Sequence, residues 1–100
     1  MGRAARLRSV RLAEKLRVIR ASLELSQNEL IRQMRLEKVI YQSNVSGYES
    51  GEREPPLPIL LSYAHIAGVC LDTIVDDSLD LPAKLPAKPM HRVTKRRQAK

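Results

Sequence analysis

The stretch Gln42–Gly51, QSNVSGYESG, is the part of this 100-residue chain that decides how the rest is interpreted. Wound as a helix, it places Val45 and Tyr48 on one side, with Glu49 beside them. The opposite side carries only small or polar groups, which are Gln42, Ser43, Ser46 and Gly47. A carboxamide can bond adenine at two points in the DNA major groove. The pattern therefore predicts either a recognition helix or a short amphipathic helix with an ordinary solvated face.

Composition predicts a small helical body. The chain has no Trp and no Phe, so Leu, Ile, Val and three Tyr residues must fill the core. About 65 to 70 residues remain for one domain once the polar ends are set aside, a size at which cores are marginal and dimerisation helps. Cys70 is the single cysteine, which excludes an intramolecular disulfide and favours a reducing, cytoplasmic setting. No stretch is apolar enough to span a bilayer, so no membrane partner is expected.

The formal charge of +7 is unevenly distributed. Seven basic residues lie between Arg3 and Arg20, opposed only by Glu14, and seven more lie from Lys84 onward with no acid. Residues 21–83 hold four basic and ten acidic residues, a net charge of −6. Attraction to phosphate is therefore expected from the basic ends and from local placement, because the body as a whole is acidic.

Helical spacing of apolar residues predicts five helices, at residues 11–23, 27–35, 42–51, 57–68 and 71–76. Ser26 and Glu29 have the spacing of a capping box and open the second helix. The fourth helix follows two prolines, and its predicted apolar side consists of Leu57, Leu60, Leu61 and Ala64. The first helix has Leu12, Leu16, Ile19 and Leu23 on one side, with Arg and Lys residues on the other.

Two segments outside these helices carry separate predictions. Leu36–Tyr41, LEKVIY, is rich in β-branched and aromatic residues, which favours an extended linker; the alternative is an extra helical turn with Val39 and Ile40 in the core. After Asp80, a near-repeat of LPAK, three prolines and the lack of acids predict disorder beyond about Pro82.

The complete pattern resembles the lambda-repressor-like helix-turn-helix family, the Cro/CI type of bacterial and phage DNA-binding domains. The resemblance covers roughly residues 11–77, and the motifs that carry it are LxxxLRxIR in the first helix, LSQNEL at Leu25–Leu30, VSGYESGEREPP at Val45–Pro56, and LLSYAHIAGVCLDTIV at Leu60–Val75. It implies an all-α, five-helix domain over residues 11–81, with a basic arm at 1–10 and a basic, disordered tail at 82–100.

The same resemblance implies roles for individual residues. The third helix enters the major groove and the second crosses the DNA backbone. The implied base contacts are Gln42, Ser43, Asn44, Ser46 and Gly47, and the implied phosphate contacts are Gln27, Ser50 and Arg53. Arg20 and Glu49 match a partly buried salt bridge between helices one and three. The implied function is sequence-specific regulation of transcription by a homodimer on double-stranded DNA.

Three features depart from the family pattern. The segment between helices two and three is about four residues longer than the usual turn and lacks its glycine. Gly47 occupies an exposed position from which a long side chain often reaches DNA. Cys70 stands where a hydroxyl or carboxyl group often caps the fifth helix.

No catalytic or metal chemistry is expected. His65, His91 and Cys70 match no zinc-ligand spacing, and the acids Asp72, Asp76, Asp77 and Asp80 lack the loop pattern of a calcium site. We therefore expect no cofactor and no enzymatic activity. The competing hypothesis is an antitoxin or adaptor that uses the same fold to bind a protein partner through the tail or the acidic face of helix five.

Overall fold

A computed structural model describes residues 9–86 of the chain. It contains α1 (Leu12–Ser22), α2 (Gln27–Gln33), α3 (Gln42–Ser50), α4 (Leu57–Ala67) and α5 (Leu71–Val75), and no strand occurs in this range. The predicted all-α class with five helices is confirmed. Residues 1–8 of the predicted arm at 1–10, and residues 87–100 of the predicted tail at 82–100, lie outside the described residues. None of the helices in residues 9–86 combines the length and hydrophobicity that crossing a bilayer requires.

One hydrophobic core joins the helices, and α1 is its central element, because it contacts α3, α4 and α5. Leu16 and Ile19 of α1 are fully buried, as are Tyr63 of α4 and Ile74 of α5. α2 packs against α3. This arrangement fixes α3 from two sides and leaves its remaining side open.

The apolar side of α4 differs from the prediction. Leu60 and Ala64 are buried as expected, but Leu57 is 64% exposed and Leu61 is 43% exposed. The buried side consists instead of Ile59, Leu60, Tyr63, Ala64 and Ala67. Two apolar stripes overlap in this helix, and the one that contains the large Tyr63 ring buries more apolar area.

The ends of α1 and α2 adopt a backbone conformation that usually belongs to glycine. Glu24, after α1, has φ 60°, and Arg35, after α2, has φ 61°. The next N–H in each case donates to a carbonyl in the last turn of the helix. These bonds are Leu25 N–H to the Arg20 carbonyl at 3.2 Å and Leu36 N–H to the Ile31 carbonyl at 3.0 Å. Both helices therefore end in a Schellman motif. Arg35 therefore takes a left-handed conformation in the segment between α2 and α3, which contains no glycine.

The segment Leu36–Tyr41 contains a single turn, which agrees in part with the second of the two predicted structures. The carbonyl oxygen of Leu36 accepts hydrogen bonds from the N–H groups of Val39 at 2.9 Å and Ile40 at 3.0 Å, which closes one tight turn. The favoured extended linker is wrong, and the alternative is right for Ile40, which is buried, but not for Val39, which is 64% exposed. The turn arises because Leu36 and Ile40 both pack against the core, while the charged residues between them stay in water.

Lys15 lies inside the protein, although the sequence places it on the basic, solvated side of helix one. Only 2% of its surface is exposed. Its Nζ donates hydrogen bonds to the carbonyl oxygens of Thr73 and Asp76, both at 2.9 Å, and of Leu79 at 2.7 Å. The ammonium group thus binds the C-terminal end of α5, where unpaired carbonyls favour a cation.

The start of α1 is joined to the segment after α5 by a second set of bonds, here named the clasp (residues 9–11 with 75–80). The Asp77 carboxylate accepts from the backbone N–H of Val10 at 2.8 Å and of Arg11 at 3.1 Å. The Ser9 hydroxyl donates to the Val75 carbonyl at 2.6 Å, and Arg11 Nη2 donates to Asp80 Oδ1 at 2.7 Å. The bonds to the Asp77 carboxylate hold its pKa below the ordinary value of 3.8.

The body continues past the predicted start of disorder at Pro82. Leu85 is buried in the core and Leu81 packs against it. These leucines open the two copies of LPAK, and burial of each offsets the cost of ordering the short segment between them. Residues 83–86 are therefore described together with the body, and the remainder of the predicted disorder falls on residues that the structure does not describe.

Candidate nucleic-acid interface

The candidate interface is the outward side of α3. Gln42, Ser43, Ser46 and Ser50 are exposed, whereas Val45, Tyr48 and Glu49 on the inner side are at most 5% exposed. The turn at residues 36–41 leaves the outward polar groups accessible to solvent. The arrangement provides a polar helical surface on a rigid apolar base, with two exceptions at Asn44 and Gly47.

Gly47 is buried, in contrast to the exposed position that the sequence predicts. The side chain of Arg53 lies across it, so that a Cβ added to Gly47 would be 2.8 Å from Arg53 Cδ and 3.2 Å from its Cγ. The Arg53 N–H also donates to the Gly47 carbonyl at 3.1 Å. The outward position at residue 47 is therefore occupied by a side chain from the following loop.

Asn44 has a capping function in α3. Its Oδ1 accepts a hydrogen bond from the Tyr41 N–H at 2.8 Å, and its own N–H donates to the Tyr41 carbonyl at 2.9 Å. The side-chain oxygen therefore faces the start of its own helix. The Nδ2 group is the part of Asn44 that is left to reach a base.

Ser50 is engaged in a similar way at the other end of α3. Its hydroxyl donates to the Gly47 carbonyl at 3.1 Å and accepts from the Glu52 N–H at 3.3 Å. A serine hydroxyl carries one proton, so donation from Ser50 to a phosphate requires the bond to Gly47 to break. The Ser50 side chain orders the loop that carries Arg53.

A chain of amide groups joins the starts of α2 and α3. Gln42 Nε2 donates to Gln27 Oε1 at 3.2 Å, and Gln27 Nε2 donates to Glu49 Oε1 at 3.3 Å. Asn28 Nδ2 lies 3.5 Å from Gln42 Oε1. Asn28 is not one of the contacts that the resemblance implies, and the signal in the sequence is its place directly after Gln27. These contacts hold the Gln42 carboxamide at the outer edge of the helix pair.

The ion pair between Arg20 and Glu49 that the resemblance implies is present in the structure. Arg20 Nε lies 2.7 Å from Glu49 Oε2, and Arg20 Nη2 donates to Glu49 Oε1 at 2.9 Å. The hydrogen bond to Glu49 raises the pKa of Arg20 above its ordinary value. Arg17 adds a hydrogen bond from Nη1 to the Glu49 carbonyl. The fork geometry fixes α3 against α1 and so sets the direction in which its outward side points.

The charge of the described body is close to neutral. Residues 9–86 contain nine Lys and Arg against eleven Asp and Glu, a net charge of −2. Four of the nine bind protein groups, namely Arg11, Lys15, Arg17 and Arg20. α3 itself carries no basic residue. The side chain of Arg53 covers Gly47 of this helix, and the remaining nine basic residues of the chain lie in segments 1–8 and 87–100.

Metal-binding and catalytic groups are not gathered at this surface. Within residues 9–86, no three His, Cys, Asp or Glu side chains come together in a way that could hold a metal ion. Cys70 is exposed, like His65, and His91 lies outside the described residues.

Comparison with known proteins gave no assignment. No protein-family model matches the chain, and no curated protein or solved structure is significantly similar to it. The sequence motifs and the geometry of α3 are therefore the basis for a functional proposal.

Proposed function

We propose that this chain is a sequence-specific, double-stranded-DNA-binding transcriptional regulator of the lambda-repressor-like helix-turn-helix type, which reads the major groove with α3. The observation that carries the proposal is the exposure of Gln42, Ser43 and Ser46 on a helix whose opposite side is locked into the core. The major groove admits an α-helix and presents a distinct pattern of donors and acceptors for each base pair.

The contacts around Gln42 support a positioning role for α2 and a base-contacting role for α3. Gln27 and Asn28 hold the Gln42 carboxamide from the side of α2. With α3 in the groove, Gln42 bonds adenine through its oxygen and nitrogen, and the hydroxyls of Ser43 and Ser46 contact neighbouring base edges. Gln27 at the start of α2 lies where that helix crosses the DNA backbone.

We further propose that the regulator acts as a homodimer on a two-fold-symmetric site. A single α3 offers a few polar side chains to the bases, and each good base contact contributes about 1–3 kcal/mol of discrimination. Two copies double this readout, with half-sites about 34–36 Å apart.

The experiment that tests this function is selection of bound sequences from random duplex DNA with the full chain at physiological salt. We expect enrichment of a two-fold-symmetric sequence, and loss of about 1–3 kcal/mol of discrimination at one base pair of each half-site in Gln42→Ala. Gln33→Ala is the matched control, because Gln33 is exposed at the far end of α2. Failure to enrich any sequence, or equal effects of the two substitutions, would contradict the proposal.

The competing adaptor function through the acidic face of helix five has less support. Asp77 and Asp80 bind Val10 and Arg11 of the same chain, so part of that acidic surface is already used internally.

A further inference from the structure

The side chain of Arg53 covers Gly47 of α3, although Arg53 belongs to the loop that follows. Gly47 lies one helical turn after Ser43, on the same outward side. It is buried because the Arg53 side chain covers it: from an added Cβ at Gly47, the distances to Cβ, Cγ and Cδ of Arg53 are 3.5, 3.2 and 2.8 Å. Along the Arg53 side chain, the carbon atoms nearer the guanidinium group thus lie closer to Gly47.

The main chain holds Arg53 in this place. Gly51, with φ 85°, ends α3 and turns the chain back, and the Arg53 N–H is bonded to the Gly47 carbonyl at 3.1 Å. The Ser50 hydroxyl fastens the same turn through Gly47 and Glu52. The arginine is therefore positioned by three hydrogen bonds of the loop and by the absence of a side chain at residue 47.

The guanidinium group remains available to a ligand. No ion pair within residues 9–86 involves Arg53, and the residue is exposed. It brings positive charge to a helix that has no basic residue of its own.

We propose that Arg53 is a base-reading residue that recognises guanine, rather than a phosphate contact as the resemblance implies. The inference rests on the proposed function, because the guanidinium enters the major groove only if α3 does. In that groove it takes the place of the side chain that Gly47 lacks. Guanine presents O6 and N7 to two parallel N–H groups of an arginine fork, which is the commonest specific contact in protein–DNA recognition.

The decisive variant is Arg53→Ala, since alanine has no donor for guanine O6 and N7. With the full chain and the selected duplex, we expect wild type to prefer guanine at one base pair of each half-site. Arg53→Ala should lose about 5- to 150-fold of that preference, whereas loss of a phosphate contact would weaken all sequences alike. Arg32→Ala is the matched control, because Arg32 is exposed on α2, and it should leave the guanine preference at its wild-type value.

Gly47→Ala tests the positioning of Arg53 without removing it. An added Cβ would collide with Arg53 Cδ, so the arginine must move, whereas alanine favours the helix more than glycine does. We expect Gly47→Ala to fold with an undiminished melting temperature and to lose the guanine preference. Adding Arg53→Ala to this variant should cause little further loss of the guanine preference.

Retention of the guanine preference in Arg53→Ala, with uniform weakening of all sequences, would overturn the base-reading role and leave the proposed function intact. Wild-type protein that enriches no sequence would overturn both proposals.

Discussion

At the scale of single residues, Glu49 stabilises the fold and also holds in place the helix that carries the candidate interface. Its carboxylate is 5% exposed, receives two hydrogen bonds from Arg20 and one from Gln27, and lies on the inner side of the helix that carries Gln42 and Ser43. The same side chain therefore holds α1, α2 and α3 together.

Replacement of Glu49 by Ala is expected to lower the free energy of unfolding by about 3–5 kcal/mol, because the Arg20 charge loses its partner in a partly buried site. That is a large fraction of the roughly 5–15 kcal/mol that stabilises a small domain. Urea denaturation of full-length protein measures the difference. Glu37→Ala, in the exposed turn at 37–39, is the control, and equal midpoints for both variants would show that the pair contributes little.

The left-handed backbone conformation of Arg35 predicts a substitution that increases stability. Its φ of 61° is costly for a residue with a Cβ, by about 1–2 kcal/mol, and glycine avoids this cost. We expect Arg35→Gly to raise the free energy of unfolding by roughly 0.5–1 kcal/mol, after the greater entropy of the unfolded glycine chain is subtracted. Arg32→Gly, inside α2, should instead lower the free energy of unfolding by about 1 kcal/mol. If the backbone conformation is the cause, thermal denaturation will show a higher melting temperature for Arg35→Gly and a lower one for Arg32→Gly.

The sequence predicts residue contacts within one helix better than contacts between a helix and a loop. The spacing of Val45 and Tyr48 is enough to identify the inner side of α3, because helical periodicity is local. The covering of Gly47 by Arg53 depends on the path of the chain after Gly51, and no periodic pattern encodes that path. The hydrogen bonds of Asn44 and Ser50 were missed for a related reason, since their side chains satisfy the backbone at the ends of α3.

At the scale of elements, α5 is stable only through its neighbours. It has five residues, far fewer than an isolated helix needs in water. Ile74 anchors it in the core, and Lys15 of α1 binds the carbonyl oxygens of Thr73 and Asp76 near its end.

Lys15→Met should weaken the attachment of α5 without shortening the side chain greatly. We expect the amide hydrogens of residues 73–79 to exchange faster with solvent and the protein to lose at least about 1.5–3 kcal/mol of stability, the usual contribution of hydrogen bonds to a charged group. Hydrogen exchange measured by mass spectrometry reports both effects. Lys38→Met, in the exposed turn at 37–39, serves as the comparison, and equal protection of α5 in both variants would contradict this role of Lys15.

The existence and approximate limits of all five helices could be predicted from apolar spacing, capping residues and glycines. The buried side of α4 could not, because Leu57 and Leu61 fit the same spacing as the side that is buried. The turn at Leu36–Ile40 was predicted only as the alternative to an extended linker, because its β-branched residues favour extended structure locally, whereas the exposure of Val39 depends on the assembled core.

At the scale of the whole molecule, acidic and basic residues are sorted between the body and the ends of the chain. This division follows from the sequence alone, and the resemblance implies the pairing of Arg20 with Glu49. The use of Arg11, Lys15 and Arg17 inside the body could not be predicted, because each of these side chains binds a group at least 32 residues away along the chain.

The clasp makes stability depend on pH, because its hydrogen bonds are made to the ionisable carboxylate of Asp77. The pKa of Asp77 is lowered by hydrogen bonds from the backbone of Arg11 and Val10, and that of Asp76 is lowered by Ser78. The unfolded chain therefore takes up protons at a higher pH than the folded chain. The stabilisation is present above the unfolded value, near 4, and is lost as the pH falls through the lower folded value.

We expect the melting temperature to fall between about pH 5 and pH 2, and Asp77→Asn to flatten part of that decline because asparagine does not titrate there. Scanning calorimetry across this range provides the measurement. Identical pH profiles for wild type and Asp77→Asn would show that the clasp does not contribute.

The clasp also means that the folded body returns to its starting point: the Ser9 hydroxyl is 2.6 Å from the Val75 carbonyl. The first and last helices are joined by hydrogen bonds, so the two ends of the described body lie next to each other. A circular permutant with its new termini in the exposed turn 37–39 is therefore expected to form the same set of packed helices.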